Sequence, residues 1–380
     1  MTVGVAAFAV RLRKGNAMAT IDVIVPVRNG MPFLTDAIDS IRSQSFSDWR
    51  MIILDHGSSD SSLETARRYA ETDRRISVHA HPEADGVGSL RNIGLGLCDC
   101  RYVLLQDADD ISLPDRMDKV LKAFSEAPDL LAVGGEAIVI DTVGRKRGYL
   151  PVLAGPGAVA AASIFNFPMI HPASALNFSR IGRLGALYGK DFLRQVSDAD
   201  SITVNRLAED YIMFGQLALA GPCANLNTPL IQYRRHPASV GIQDQASQIE
   251  AALSISRFLA TSFCCMHGLA PFDPAPFCNH ADYVFDYFRT DYGEQYRTMA
   301  EALRAGFGPS AALDRELAFR KVLAARKLPA MTARFMKFWS RHPVLPGEKR
   351  SVRNWLLRNV RRGKYIYRPQ KPATAAMSAA

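Results

Sequence analysis

The chain has few of the patterns that mark zinc-binding or dinucleotide-binding proteins. Its six cysteines form no C-x-x-C pair, because Cys98 and Cys100 lie two positions apart and Cys264 and Cys265 are adjacent. Structural zinc sites usually draw on more widely spaced pairs. No G-x-G-x-x-G run follows the first apolar segment, which argues against a nicotinamide-dependent dehydrogenase. We therefore expect reduced, mostly buried thiols in a cytoplasmic protein.

The sequence also lacks a clear membrane-spanning or secretory segment. The strongest candidate, the uncharged run at residues 148–179, contains four prolines as well as asparagine and histidine, which suit a buried helix and loop. Residues 1–19 place basic side chains after an apolar start, the reverse of a signal peptide. We expect residues 1–19 to be a disordered extension and residues 370–380 a disordered tail.

Acidic residues are nearly absent from the C-terminal part of the chain. Residues 321–368 contain fourteen Lys or Arg and one acid, Glu348, so they carry +13 while the entire chain carries +9. Trp339 and Trp355 lie among these cations. An anionic membrane surface is the partner we favour for this region. Packing on the rest of the protein is the next interpretation, and nucleic acid is the least favoured.

The first part of the chain alternates apolar strand patterns with helical ones. Strands are predicted at residues 21–27, 50–54, 76–80 and 102–106, with helices beginning near residues 34, 61 and 91. Single helices between strands imply parallel pairing with right-handed crossovers. The continuous apolar runs at 51–54 and 103–105 are typical of strands buried on both faces. Ligands bind such sheets beyond the carboxyl ends of the strands.

The pattern is looser after residue 125 and becomes helical after residue 243. Further strands are predicted at 131–133, 137–140 and 231–234, and helices at 159–165 and 209–220. We expect one α/β domain at 20–242, with a nucleotide-binding half at 20–125 and an acceptor half at 126–242. A helical, basic region should follow at 243–369.

The run Asp107-Ala108-Asp109-Asp110 directly follows a predicted strand. Residues two apart in an extended segment point the same way, so Asp107 and Asp109 can share a face. Close carboxylates repel one another, and a hard cation such as Mg²⁺ or Mn²⁺ removes that repulsion and can bridge to a diphosphate. The competing interpretation is an acidic loop capping the helix that starts near Pro114, which fits Asp110 and Ser112.

Several runs, in this order, resemble the inverting glycosyltransferases of family 2, which have the GT-A fold. They are Ile24-Val25-Pro26-Val27-Arg28-Asn29-Gly30, Leu54-Asp55-His56-Gly57-Ser58-Ser59-Asp60, Arg91-Asn92-Ile93-Gly94, Leu105-Gln106-Asp107-Ala108-Asp109-Asp110, Glu209-Asp210 and Tyr233-Arg234-Arg235-His236. The similarity covers about residues 20 to 240. It implies a GT-A-type doubly wound, mostly parallel sheet with a helical C-terminal extension.

The resemblance also implies roles for the acidic residues. Asp55 would recognise the nucleotide base, although His56 stands where most relatives have a second Asp. Asp107 would lie near the ribose, and Asp109 would hold the metal, with Asp107 beside it. Asp210 would be the catalytic base that accepts the proton of the acceptor hydroxyl, with Glu209 as the next candidate. A plain pair of acids at a helix start is the alternative interpretation of these two residues.

The remaining predicted donor-binding residues are Pro26, Asn29, Arg91, Asn92, His171, Arg234 and His236. Arg234 and His236 would place cations beside the diphosphate leaving group, unless they belong to a solvated basic turn. His171 would lie near the acceptor or the diphosphate, and a purely structural loop histidine is at least as well supported.

The sequence thus predicts transfer of a sugar from a nucleotide-diphosphate donor to a saccharide or lipid-linked acceptor, in surface polysaccharide or lipopolysaccharide synthesis on the inner face of the membrane. A sugar-nucleotidyltransferase would instead need a glycine-rich triphosphate loop after the first strand, which Arg28-Asn29-Gly30 does not supply. A non-catalytic nucleotide-sugar-binding protein would keep the fold but lose the metal acids or the base, and all are present.

Overall fold

The structure, a computed structural model, describes residues 20–358 except 198–199, 205–206, 238–244, 280, 282–283, 285–286, 288–290 and 326. The predicted extension at 1–19 and tail at 370–380 lie outside the described residues, as do the last cations of the basic region. The predicted domain boundary at 242 falls in the gap at 238–244 and stays a prediction.

A central sheet contains the strands of the described chain. They are β1 (Ile21–Val27), β2 (Trp49–Asp55), β3 (Ile76–Ala80), β4 (Tyr102–Leu105), β5 (Ile111–Ser112), β6 (Ala132–Ile140), β7 (Lys146–Leu150), β8 (Ala175–Asn177) and β9 (Cys223–Arg234). Their order is β3-β2-β1-β4-β8-β6-β9-β5, and β7 pairs with β6. The longest ladders, β1 with β2 and β6 with β9, are parallel, while β8, β5 and β7 add short antiparallel pairings.

Helices cover both faces of the sheet and form the C-terminal region. They are α1 (Leu34–Arg42), α2 (Ser62–Thr72), α3 (Gly86–Leu97), α4 (Arg116–Glu126), α5 (Pro156–Ser163), α6 (Phe178–Leu184), α7 (Glu209–Ala220), α8 (Gln245–His267), α9 (Gly293–Phe307), α10 (Ala311–Ala324), α11 (Leu328–Trp339) and α12 (Pro346–Arg358). The predicted doubly wound, mostly parallel GT-A-type fold with a helical C-terminal extension is confirmed.

Alternation along the strands divides the core into two layers. Val23 and Val25 of β1 pack with α1 and α4 on one face, whereas Ile24 packs with α3 and α7 on the other. A Cβ at Gly94 would lie 2.6 Å from Leu54 Cδ1 and 3.0 Å from Ile24 Cγ2. Glycine therefore lets α3 lie close to the sheet, which holds Arg91 one turn earlier near the strand ends.

The C-terminal helices form a second core that continues into the sheet domain. Ile164 and Phe165, which follow α5, pack in the same cluster as Phe338 and Trp355. Trp355 is 1% exposed, so its ring belongs to this core, whereas Trp339 is 51% exposed. Packing therefore accounts for Trp355, and Trp339 stays available at the surface.

Some predicted elements differ from those observed because local glycines hide the pattern. The two strands predicted at 131–133 and 137–140 are the single strand β6, in which Gly134 and Gly135 separate the apolar runs. A Cβ at either glycine would approach a side-chain atom of β9 more closely than 3.0 Å, so the glycines permit close pairing. Helix α3 starts at Gly86 rather than at residue 91 because glycines again occupy its first turn.

One described helix, Ala246–His267, is long and apolar enough to cross a membrane by length and composition. Within the part of the chain that the structure describes, it replaces residues 148–179 as the candidate span. Leu253, Ala260 and Phe263 of this helix lie in the C-terminal core. This packing is that of a core helix, and length and composition are only weak evidence for a span.

Candidate active site

A cleft of about 1400 Å³ opens at the carboxyl ends of β1, β2 and β4. The sheet side of its wall includes Asn29, His56, Asp107 and Asp109. The opposite side includes Asp210 of α7 together with residues of α8 and α12. The predicted clustering of polar groups along one edge of the sheet is therefore observed, and the C-terminal helices close the site from the other side.

The acidic run after β4 brings three carboxylates together. Oxygens of Asp107, Asp109 and Asp110 lie within 4.8 Å of one another. Asp110 is buried: its Oδ1 accepts the Arg234 backbone N–H at 2.8 Å, while its Oδ2 has no hydrogen-bond partner. Burial, with Asp109 and Asp107 nearby, raises the pKa of Asp110 well above its usual value. An all-oxygen, mutually repelling set with an unpaired buried acceptor fits a hard divalent cation.

Asp110 is not the helix cap that its position suggested. Its carboxylate bonds to β9, whereas α4 begins six residues later with no side-chain cap hydrogen bond. Asp110 therefore joins the acidic run to β9 and remains close enough to a cation at Asp109 to contribute charge.

His236 lies directly beside the predicted metal ligand Asp109. Its Nε2 is 2.8 Å from Asp109 Oδ2, and its ring lies 5.1 Å from the ring of Phe33 between centroids. A neutral imidazole can ligate transition-metal ions, whereas Mg²⁺ and Mn²⁺ prefer oxygen ligands such as the carboxylates beside it. The structure thus places the imidazole nitrogen of His236 beside the carboxylates that the sequence predicts as metal ligands.

Arg91 connects the metal acids to the acids of α7. Its Nη2 donates to Asp107 Oδ1 at 3.1 Å and its Nη1 donates to Glu209 Oε1 at 2.5 Å. Burial opposes the charge of Arg91, but Asp107 and Glu209 outweigh it and raise the pKa of the guanidinium. Arg91 therefore stays charged and fixes the spacing between two carboxylates 102 positions apart in sequence.

Glu209 and Asp210 begin α7 as predicted but have different surroundings. Glu209 is 4% exposed and is paired with Arg91, and burial, helped by the charge of Asp210, raises its pKa to about 7. Asp210 lines the cleft, and burial raises the pKa of its carboxyl as well. Its Oδ1 accepts the backbone N–H of Tyr211 at 2.8 Å, which leaves Oδ2 for a ligand.

The ends of β1 and β2 form the other end of the cleft. Asp55 is 1% exposed; its Oδ2 accepts the Ser58 N–H at 3.1 Å and its Oδ1 has no partner. Asn29, at φ 52°, uses its Oδ1 to accept the Ser59 N–H at 2.8 Å. His56 Nε2 lies 2.8 Å from the Ala84 carbonyl oxygen. Asn29 and His56 shape this end, and Asp55 offers an unused acceptor behind it.

Four predicted donor-binding residues do not line the cleft: Asp55, Asn92, His171 and Arg234. The Asn92 amide bonds to the Tyr188 backbone at 3.0 and 2.8 Å. Arg234 is 2% exposed and donates to the Asp109 carbonyl at 2.9 Å and to Asp36 Oδ2 at 2.8 Å. These two side chains are occupied in holding neighbouring segments, so the structure does not place Arg234 as a free cation beside a diphosphate.

His171 is buried next to Asp107 and does not itself line the cleft. Its Nε2 is 3.0 Å from the Tyr188 hydroxyl and its Nδ1 is 4.0 Å from Asp107 Oδ1. Burial, with Arg91 and Arg116 nearby, lowers the pKa of His171 well below its usual value. The Nδ1 atom has no hydrogen-bond partner among the described residues, so His171 is held by Tyr188 alone, and its role stays a prediction.

The sequence motifs missed the wall that faces the sheet. It is formed by Gln248, Ile249, Ala252, Asn279, Gly347, Arg350, Ser351 and Asn354. None of these residues belongs to a motif, because they are brought to the cleft only by the packing of helices far along the chain. The one related signal in the sequence is the basic composition of the segment that forms α12. That composition favours a surface facing an anionic membrane and does not by itself indicate a cleft wall.

Comparison with known proteins agrees with this geometry. The sequence pattern of the family described as Glycosyl transferase family 2 matches residues 22–179. An uncharacterized glycosyltransferase of Haemophilus influenzae is 26% identical over 211 residues, which are 53% of this chain and 82% of that protein. The putative teichuronic acid biosynthesis glycosyltransferase TuaG of Bacillus subtilis is 33% identical over 106 residues, 28% of this chain and 42% of that protein.

A solved structure, S. aureus TarS 1-349 in complex with UDP, aligns with 90% of this chain and 91% of its own, at 13% identity and a TM-score of 0.49. The sequence similarity carries the assignment. The chain is a glycosyltransferase, and its residues 22–179 carry the similarity to glycosyl transferase family 2.

Proposed function

We propose that this enzyme transfers a sugar from a nucleotide-diphosphate donor to an acceptor hydroxyl by a single displacement with inversion, in a metal-dependent reaction. The observation that carries the proposal is the placement of Asp210 in the same cleft as Asp107 and Asp109, with Arg91 and Glu209 between them. One wall thus offers a base, and the other offers acids suited to a metal-bound diphosphate.

Donor binding is assigned to the sheet side of the cleft. The unpaired Asp55 Oδ1 is suited to accept an N–H of the nucleotide base. Asp107 lies next along the edge, towards the ribose. Asp109, with His236 and the neighbouring carboxylates, would hold Mg²⁺ or Mn²⁺. When bound, such a cation neutralises charge on the diphosphate leaving group.

Proton removal is assigned to Asp210. An acceptor hydroxyl becomes a competent nucleophile at the sugar C1 when its proton passes to Asp210 as the C–O bond forms. The bond from C1 to the diphosphate oxygen breaks in the same step, and the nucleoside diphosphate leaves with its electron pair. Glu209 is a positioning residue here, since its carboxylate is engaged by Arg91.

The acceptor is proposed to be a saccharide or a lipid-linked precursor of a surface polysaccharide. Support comes from the similarity to TuaG, which is named as a teichuronic acid biosynthesis glycosyltransferase. Such precursors would meet the enzyme at the cytoplasmic face of the membrane, where we place it.

Thermal stabilisation by a panel of nucleoside diphosphates and nucleotide sugars, with and without Mn²⁺, tests the proposal. The wild type should be stabilised by a subset of the panel only when the metal is present. Asp109→Ala should lose that stabilisation, whereas Asp115→Ala, which removes an exposed acid outside the cleft, should keep it. Equal stabilisation of wild type and Asp109→Ala would refute the metal assignment, and no response to any nucleotide would refute the function.

A further inference from the structure

The helix α12 contributes four residues to the cleft although it lies outside the match to the family. Gly347, Arg350, Ser351 and Asn354 lie within about 100° of one another on the helical wheel, so α12 presents one face to the site. Arg350 is exposed and forms no hydrogen bond or ion pair with any described residue. A guanidinium in a cleft with no carboxylate partner is suited to an oxyanion of a ligand.

The opposite face of α12 is firmly anchored. Glu348 is 3% exposed and accepts hydrogen bonds from both terminal nitrogens of Arg315, at 2.6 and 2.7 Å. Val352 and Trp355 are each 1% exposed in the C-terminal core. Because the buried face is fixed in this way, the backbone that carries Arg350 holds a defined position in the cleft wall.

A continuous series of contacts places this wall on the Asp210 side. Ser351 Oγ donates to the Asn279 carbonyl at 3.1 Å, and the preceding Cys278 Sγ lies 3.0 Å from Ser256 Oγ of α8. Helix α8 in turn packs on α7, where Ile212 and Leu259 share a cluster. The α12 wall is therefore joined, through α8, to the helix that begins with the base.

We infer that Arg350, with Asn354 one turn later, binds an anionic group of the acceptor, a phosphate or a carboxylate. The inference rests on the proposed function, because it takes Asp210 to mark the acceptor side. The ion pairs of the site do not involve Arg350: Asp107 and Glu209 are paired with Arg91, and Asp109 lies beside His236. Asp210 is the acid assigned to the acceptor hydroxyl, so the guanidinium of Arg350 is available to another group of the same ligand.

The test measures binding of small anions to the full chain loaded with Mn²⁺ and the nucleoside diphosphate that the panel selects. Glycerol phosphate and glucuronate serve as the anionic probes, with glycerol and glucose as neutral controls, and saturation-transfer NMR reads their affinity. Arg350→Ala should weaken binding of the preferred anion about tenfold or more, and Arg350→Lys should weaken it less. Arg353→Ala is the matched control, since it removes an exposed cation from the same helix outside the cleft.

The two variants separate the possible outcomes. Equal anion affinity in Arg350→Ala and Arg353→Ala, or no binding of either anion by the wild type, would overturn the acceptor site while leaving the proposed function standing. A tenfold loss of nucleoside diphosphate affinity in Arg350→Ala would assign the cation to the donor and overturn the inference in that way. Anion binding that depends on Arg350 in a protein that binds no nucleotide would overturn the proposed function but keep the anion site.

Discussion

Glu209 and Asp210 show how far two adjacent carboxylates can differ once they are folded. The first turn of a helix points successive side chains about 100° apart. Both side chains line the cleft, but Glu209 is held by Arg91 whereas Asp210 accepts only the backbone N–H of Tyr211 among the hydrogen bonds described above. Their roles, a positioning group and a base, follow from direction and burial rather than from residue type.

Replacing the base should separate catalysis from donor binding. Asp210→Asn keeps the side-chain shape but removes the proton acceptor, so we expect kcat to fall by about 10²–10⁴-fold with donor affinity unchanged. Steady-state kinetics and nucleotide binding on the same preparation would measure both. Glu209→Gln should instead alter donor affinity as well, because Arg91 loses one of its two partners. Near-normal turnover of Asp210→Asn would exclude it as the base.

The pH dependence of turnover should reflect the raised pKa values of the buried acids Glu209 and Asp210. A base acts in its ionised form, so activity is complete above its pKa and is lost as pH falls through that value. Burial raises the pKa of Asp210, and that of Glu209 to about 7. The acidic limb of kcat should therefore lie above the value of about 3.9 expected for a free Asp. In Glu209→Gln the acidic limb of kcat should move to lower pH, because the negative charge next to Asp210 has been removed. An acidic limb near pH 4 in the wild type would contradict the buried environment assigned to Asp210.

At the scale of elements, the buried pair between α10 and α12 controls whether the cleft has its second wall. Arg315 and Glu348 are 7% and 3% exposed and form a two-pronged pair. Arg315 also donates to the Pro343 carbonyl at 2.9 Å, so the pair fixes the turn before α12 as well.

Removing one partner should cost more stability than removing both. Glu348→Ala leaves a buried guanidinium without its carboxylate, and we expect a loss of about 3–5 kcal/mol in the free energy of unfolding. The double variant Arg315→Met, Glu348→Leu should recover most of that loss because it removes both charges of this pair, while the neighbouring Glu316 keeps its buried partner Arg320. Urea unfolding measures both. A loss below about 1 kcal/mol in Glu348→Ala would indicate a solvent-screened pair.

At the scale of the whole molecule, the basic C-terminal region has both a buried and an exposed part. Met336 and Trp339 lie one turn apart on α11 and are 57% and 51% exposed. Lys349 Nζ lies 5.1 Å from the centre of the Trp339 ring. Exposed apolar side chains beside cations are suited to an anionic membrane, where each cation contributes about 1 kcal/mol.

We predict that the protein binds anionic but not neutral vesicles, and less at high salt, because the attraction decays over about 8 Å at physiological ionic strength. Trp339→Ser combined with Met336→Ser should weaken co-sedimentation with anionic vesicles. Leu121→Ser is a matched control, as a half-buried apolar residue packed against the sheet domain. Point variants suit this test better than truncation, since α11 and α12 supply core residues. Unchanged co-sedimentation of the double variant would exclude this surface.

The sequence by itself determined the sheet domain and the acids at its edge. The bounds of β1, β3 and α7 agree with the predicted ones, because continuous apolar runs and a strong helical pattern are local signals. Asp107 and Asp109 follow β4 directly, so the strand that positions them is also the signal that identifies them.

Only the tertiary structure decided which polar side chains face the cleft. Arg234 and Asn92 belong to recognisable motifs, yet their hydrogen bonds to neighbouring backbone keep them out of the cleft. Arg350 belongs to no motif and lines the cleft because α12 packs against residues far away in sequence. The direction of a side chain depends on the three-dimensional neighbours that fix its helix or strand, and that information is not present in any short stretch of sequence.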